Sequence, residues 1–281
     1  MKKDILFFGM LAFFMANAAD TNVPSKFSIV TFAIGNYENN WQKELPLSKK
    51  TANTLVNSFK KNFNDKYPNV MFSSRQYENE QVTKLRFTGT ETDNYNFVFY
   101  SGHGNVNRIT MWPQGERVWQ KNGISEKAFG GKTYWAMLNS CLVFKNGESN
   151  QEPWFNGVHS ILGYSSTSKW YKESHRCGFL YLKTCHNYSY YAERDFVTNW
   201  IKEKQGIWEA YKNAIYKWIY KKGGYGVEPK IVYRYGNVDG KFFDPWKETF
   251  ENSIQKPVFK KKGEYIGIGS RWVKFGTPEY E

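Results

Sequence analysis

The chain has 281 residues, a length for one large domain or two small ones. An apolar fraction of 41%, with 19% aromatic residues, is enough to build a core and excludes disorder as the overall state. Thirty-nine Lys and Arg against 26 Asp and Glu leave a formal charge of +13, which fits anionic partners and fits a plain basic protein equally well.

Lys2 and Lys3 precede an apolar run from Ile5 to Met15, and Ala16-Asn17-Ala18 follows as a small-x-small cleavage site. The run is shorter than the ~20 residues of a typical membrane span, so the segment reads as a secretory signal peptide rather than an anchor helix. The first cysteine is Cys141, so no lipidated cysteine follows the cleavage point. The expectation is an exported protein, secreted or periplasmic. It has a signal over residues 1–18, one domain over 19–281, and no stable membrane insertion once the signal is removed.

Phe27 to Ile34 is an apolar, β-branched run that reads as a buried strand. Leu47, Leu55, Val56, Phe59 and Phe63 have helical spacing, and Pro68-Asn69 ends that helix. Val70 to Ser73 is a short strand candidate. Phe97-Val98-Phe99-Tyr100 is an apolar run that stops at Ser101-Gly102-His103-Gly104. Tyr134 to Leu138 is another, stopping at Asn139-Ser140-Cys141, and Val158 to Tyr164 a further one, stopping at Ser165-Ser166-Thr167. Such strands, separated by longer segments, predict a mostly parallel sheet covered on both faces.

Phe179 to Tyr191 reads as a loop or a strand pair. Glu193–Lys204 and Ile207–Lys222 read as two amphipathic helices broken at Gly206. Lys230–Tyr235 is a strand candidate, Asp244-Pro245 starts a short helix through Phe250, and Tyr265–Ile268 with Arg271–Phe275 forms a terminal strand or hairpin. No Pro/Ser-rich linker divides these parts, so about 171–281 reads as a C-terminal elaboration of one domain.

Loops at the carboxyl ends of parallel strands are where such sheets hold their ligands. Two of these ends carry His103 and Cys141, which emerge on the same edge if their strands are neighbours. A thiol is a poor nucleophile until deprotonated, and a nearby imidazole can take or share its proton. The N–H groups of Gly104 and Cys141 are candidates to stabilise an oxyanion.

A strand followed by His-Gly, then 38 residues later a strand followed by Cys, resembles the caspase, gingipain and legumain group of cysteine peptidases. The resemblance covers roughly Phe27 to Lys169. It implies an α/β, caspase-like three-layer sandwich with a mostly parallel central sheet, a Cys141/His103 dyad, a protein or peptide substrate and no cofactor. Cys141 is followed by Leu142 and Val143 rather than by a variable residue and Gly, so the chain is not a caspase proper. Caspases also carry an arginine near the end of the first strand that reads a substrate aspartate. Ile34-Gly35-Asn36-Tyr37 has none, which speaks against aspartate specificity. The segment after the next strand lines the cleft in the resembled peptidases, which makes Ser165, Ser166 and Trp170 substrate-binding candidates. An ordinary Ser-rich turn with a packing Trp is the competing reading.

Three cysteines in an exported protein leave one unpaired. Cys177 and Cys185 can bridge, which leaves Cys141 as the thiol. His175, Cys177, Cys185 and His186 also offer metal ligands, at a spacing that matches no common zinc motif, and a third reading has neither bridge nor metal. His159, inside its predicted strand, reads as a hydrogen-bonded structural histidine.

Other function classes compete. Aromatics and positive charge motivate a non-catalytic exported protein that binds a glycan or cell-envelope ligand, although Trp218-Ile219-Tyr220 sits at helical spacing and reads as core. Lys260-Lys261-Lys262 and Lys221-Lys222 are short runs without a nucleic-acid module, and export argues against nucleic acid as a partner. Gly102-His103-Gly104 lacks the lysine and spacing of a phosphate-binding loop.

Overall fold

The computed structural model describes residues 23–37, 44–112, 117–119, 128–145, 154–167, 174–177, 183–186, 190–222, 226–259 and 265–275. The expected signal peptide lies outside them. The order along the chain is β1 (Lys26–Ala33), α1 (Leu47–Lys66), β2 (Met71–Glu78), α2 (Lys84–Thr88), α3 (Thr90–Asp93), β3 (Phe97–Ser101), β4 (Gly104–Asn105), β5 (Arg108–Thr110), β6 (Arg117–Trp119), β7 (Trp135–Asn139) and β8 (Ser160–Tyr164). There follow β9 (Ser174–Cys177), β10 (Lys183–His186), α4 (Tyr190–Val197), α5 (Ile207–Trp218), β11 (Pro229–Val238), β12 (Lys241–Phe243) and β13 (Ile266–Trp272).

One sheet dominates, in the order β12-β11-β8-β7-β3-β1-β2, with β13 also on β11. Neighbours from β2 to β8 run parallel, while β11, β12 and β13 join antiparallel. The architecture is therefore an α/β three-layer sandwich with a mostly parallel central sheet and a C-terminal extension of that sheet.

Alternation along each strand sends its residues to two cores. Phe27, Phe97 and Trp135 face α1, α4 and α5, whereas Val30, Val98 and Leu138 face the layer that carries α2, α3 and the small β4–β6 sheet. Leu55, Phe59 and Phe63 recur every four residues on α1, so they form one stripe against the sheet. The Phe59 ring sits 5.4 Å from Phe27 and 5.3 Å from Phe97. Burying each such phenyl contributes about 1.5–3 kcal/mol. Pro68 cannot continue the helix, and α1 stops at Lys66.

The expected elements are present with shifted bounds. β2 runs to Glu78 rather than stopping at Ser73, and its Ser73–Gln76 stretch is exposed. It is the outermost strand, so its polar residues face water and no apolar run marks its length. His159 lies just before β8, not inside it. The helix expected over Glu193–Lys204 begins at Tyr190 and closes in a π-type turn over Thr198–Lys202, ahead of Gly206. Only Pro245–Lys247 is helical in the stretch read as a helix to Phe250, and it is a single 3-10 turn. Of the terminal strand or hairpin, the structure shows the strand, β13, which takes β11 as its partner edge. The region read as a loop or strand pair contributes β10, which pairs antiparallel with β9.

His159 is the structural residue expected. Its Nδ1 lies 3.1 Å from each Glu248 carboxylate oxygen and its Nε2 lies 2.7 Å from the Lys256 carbonyl. Glu248 also accepts from Trp135 Nε1 at 2.8 Å and from the Ile254 N–H at 3.0 Å. This buried node fastens the segment before β13 to the end of the sheet opposite His103 and Cys141.

Candidate functional site

β3 and β7 are adjacent and parallel, and their pairing ends with Ser101 opposite Asn139. His103 and Cys141 each lie two residues past that last pair, so both leave the sheet at its carboxyl edge. Two contacts beyond the ladder keep the exits together. The Gly102 N–H donates to the Asn139 carbonyl at 3.4 Å. A Cβ on Gly104 would fall 2.6 Å from Ser140 Oγ and 2.9 Å from the Cys141 carbonyl, so the hairpin that carries His103 packs backbone-first onto the Cys141 turn. Glycine at 104 is a steric requirement of that approach, not a conformational one.

His103 is held from below by two buried tyrosines that the residues alone did not single out. Its N–H donates to Tyr37 Oη at 2.7 Å, and the Tyr37 ring stands 5.1 Å from the imidazole. Tyr100 Oη lies 3.0 Å from the His103 carbonyl and 2.5 Å from that of Thr110. Burial, outweighing the hydrogen bond between the two, pushes the Tyr37 hydroxyl far above the usual phenol range, so it stays a neutral partner. The signal for Tyr37 was its place just after β1, on the same carboxyl edge as His103.

The Thr110 N–H donates to the His103 carbonyl at 2.9 Å, which ties His103 to the β4–β5 hairpin that follows it. In that hairpin Gly104 is paired with Ile109 and Asn105 with Arg108.

Cys141 is half-buried and stands outside any disulfide. The residue after it, Leu142, has φ 58°, a left-handed conformation that costs a branched side chain about 1–2 kcal/mol. Tertiary bonds hold the turn there: the Leu142 N–H donates to the Ser166 carbonyl at 2.8 Å and the Phe144 N–H to that of Tyr164 at 3.0 Å. Strain of this kind, over-determined by its surroundings, is typical of functional turns.

Ser165 and Ser166 lie beside that turn, at the carboxyl end of β8. Their hydroxyls engage Glu228: Ser165 Oγ donates to Glu228 Oε2 at 3.1 Å, and Ser166 Oγ accepts the Glu228 N–H at 2.8 Å. Trp170 lies outside the described residues. So do the side chains of His175, Cys177, Cys185 and His186, although the strands that carry them are described. There Cys177 pairs with Lys183 and Cys185 with His175, so the two cysteine positions are diagonal neighbours on one face of the ladder. Among the described residues no group of three His, Cys, Asp or Glu side chains is arranged to hold a metal ion, and no helix is long and apolar enough to cross a membrane.

A family model described as a domain of unknown function, DUF6345, matches residues 32–219. No curated protein matches the chain. The fold is similar to that of pro-sf-caspase-1, with 12% identity over 73% of this chain and 86% of that one and a TM-score of 0.45. It is also similar to a secreted C11 cysteine protease from Bacteroides thetaiotaomicron bound to an irreversible peptide inhibitor, with 9% identity over 74% of this chain and 66% of that one and a TM-score of 0.44. An inactive zymogen C11 protease from Parabacteroides distasonis has 9% identity over 75% of this chain and 62% of its own, with a TM-score of 0.40.

Proposed function

We propose a function for a chain that belongs to the DUF6345 family: it is an exported cysteine endopeptidase that hydrolyses peptide bonds through a thioester acyl-enzyme. The observation that carries this reading is the pair of strand ends. His103 and Cys141 each follow an adjacent parallel strand by two residues, with the Gly104 backbone packed on the Cys141 turn.

His103 takes the thiol proton of Cys141 as the sulfur attacks the scissile carbonyl. The developing oxyanion is met by the N–H groups of Gly104 and Cys141. His103 then returns the proton to the leaving amine. Water, deprotonated by the same imidazole, hydrolyses the thioester and regenerates the thiol. Tyr37 supports this cycle by fixing the His103 backbone and one face of its ring. Ser165 and Ser166 line the cleft beside Leu142, and the signal over residues 1–18 directs export.

The test is substitution with a broad peptide library. Cys141→Ala abolishes hydrolysis, and His103→Ala costs nearly as much, because two groups that act as a unit do not contribute additively. Neither change unfolds the protein, since both side chains lie at strand ends. A Cys141→Ala form that melts well below wild type, with no peptide cut by either form, would identify Cys141 as a packing residue. Trp272 and Tyr265 are 62% and 68% exposed, which favours a second reading, a non-catalytic protein that binds a glycan or envelope ligand on the same fold.

A further inference from the structure

α4 sends a carboxyl group into the core directly behind the Cys141 turn. Glu193 is 2% exposed, and its Oε1 accepts from Asn139 Nδ2 at 3.0 Å. Among the described residues Asn139 Oδ1, Ser140 Oγ and Glu193 Oε2 have no hydrogen-bond partner. Burial drives this carboxyl well above the usual carboxylate range. A protonated acid has one donor and one acceptor, the complement of an amide such as Asn139, whereas a carboxylate can only accept.

Asn139 is the residue through which such a contact would reach the site. Its side chain is bound to Glu193 and its carbonyl accepts the N–H of Gly102, the neighbour of His103. Two residues on, the same strand becomes Cys141. A shift of Asn139 thus moves the Cys141 turn against the His103 hairpin.

We propose that Glu193 is a positioning residue: its buried hydrogen bond fixes Asn139 and, through it, the separation of Cys141 from His103. This rests on the peptidase reading of that pair. Reaction rates fall steeply with small errors of placement, about a hundredfold for 1 Å. Any group that defines Asn139 accordingly acts on turnover rather than on substrate affinity.

The experiment compares Glu193→Leu, which removes both hydrogen-bonding atoms, with Glu193→Gln, which keeps one donor and one acceptor. Peptide turnover and alkylation of Cys141 by iodoacetamide at pH 6 are both measured, with circular dichroism to confirm folding. The leucine variant is expected to lose at least about tenfold in kcat with KM within about twofold, and to slow alkylation similarly. The glutamine variant restores both. A folded leucine variant that cleaves and alkylates like wild type overturns the proposal, as does a glutamine variant as slow as the leucine one. Should the leucine form not fold, Asn139→Ser breaks the same hydrogen bond and is read by the same assays. If that also unfolds, the glutamine variant decides, wild-type rates supporting the proposal and slowed rates overturning it. If no form cleaves any peptide while leucine slows alkylation and glutamine restores it, the peptidase reading fails and the positioning stands. Cleavage and alkylation untouched by leucine do the reverse.

Discussion

Replacing Glu248 by Ala isolates the buried node at the far end of the sheet. The change strips the acceptors from three donors: Trp135 Nε1 at 2.8 Å, the Ile254 N–H at 3.0 Å and His159 Nδ1 at 3.1 Å. The His159 and Glu248 side chains lie in the interior, 0% and 2% exposed, while the bond from the Ile254 N–H is part-buried. Each orphaned donor costs about 1–3 kcal/mol, and the three share one cavity, so their costs do not add fully. Removing one partner of a buried ionisable pair typically costs about 3–5 kcal/mol, and we expect a loss near 4. At about 2–4 °C per kcal/mol for a chain of this size, the melting temperature drops by about 8–16 °C. Urea unfolding followed by tryptophan fluorescence measures it, because Trp135 and Trp200 both bond to Glu248. The site should not notice: Trp135 and Asn139 bound β7, whose length puts about 17 Å between the node and the Cys141 turn. At 20 °C the folded variant is therefore expected to alkylate Cys141 at the wild-type rate. A loss below about 1 kcal/mol would show that the donors find other acceptors and refute the accounting. A fall in alkylation in step with stability would refute the separation of the two ends.

Tyr37→Phe keeps the ring beside His103 and deletes the acceptor of its N–H. Peptide turnover is expected to fall about tenfold or more with KM unchanged, and an unchanged kcat argues that the hairpin is held without this bond. Thiol titration of the mature, unreduced protein is expected to find one free thiol, on Cys141. Three would exclude a Cys177–Cys185 bridge, and a bridge that includes Cys141 would exclude it as a nucleophile. Burial pushes the Asp195 carboxyl up, but hydrogen bonds from Lys217, Trp218 and Arg194 outweigh it and hold the group below the usual carboxylate range. A depressed acid stabilises the fold above its unfolded pKa of about 3.9, and that stability is lost as pH falls through the folded value. Asp195→Asn should thus flatten the acid side of a urea-midpoint profile taken from pH 3 to 7, and an unchanged acid side would refute the clamp.

What could be read from the residues was what burial writes into them. β1, β3, β7 and β8 are covered on both faces, so their apolar runs were continuous and ended close to where the strands end. α1 lays one stripe on the sheet and showed it as Leu55, Phe59 and Phe63. Elements with one wet side were blurred: β2 is an outer strand with polar residues along most of its length, and β13 carries Gly267 and Gly269, which interrupt its apolar run and split its reading between Tyr265–Ile268 and Arg271–Phe275. There the rings of Tyr235 and Tyr233 lie across the glycines, and a Cβ would meet the Tyr235 ring at 2.8 Å. The packing that makes glycine fit belongs to a strand some 30 residues away, so no local signal carries it.

The same division runs through the candidate site. His103 and Cys141 were visible because each interrupts a hydrophobic strand with a reactive side chain. Their supports were not, because register decides which residues lie behind them. Tyr37 reaches His103 only because β1 is the neighbour of β3, and Glu193 meets Asn139 only because tertiary packing brings two residues 54 apart in the chain into one hydrogen bond. Glu193 did leave a trace. With Phe196, Val197 and Trp200 it falls at i, i+3, i+4 and i+7, on the apolar stripe of its helix, where an acid has no solvent to face. A charged residue on such a stripe is costly unless it is neutralised or answered by a partner. Amphipathic spacing alone does not mark this position, because it reports the period of apolar residues and not the chemistry of each one on the dry face. An acid on a dry stripe, opposite a strand that ends in a thiol, is therefore a local pattern that points inward to a site rather than outward to water.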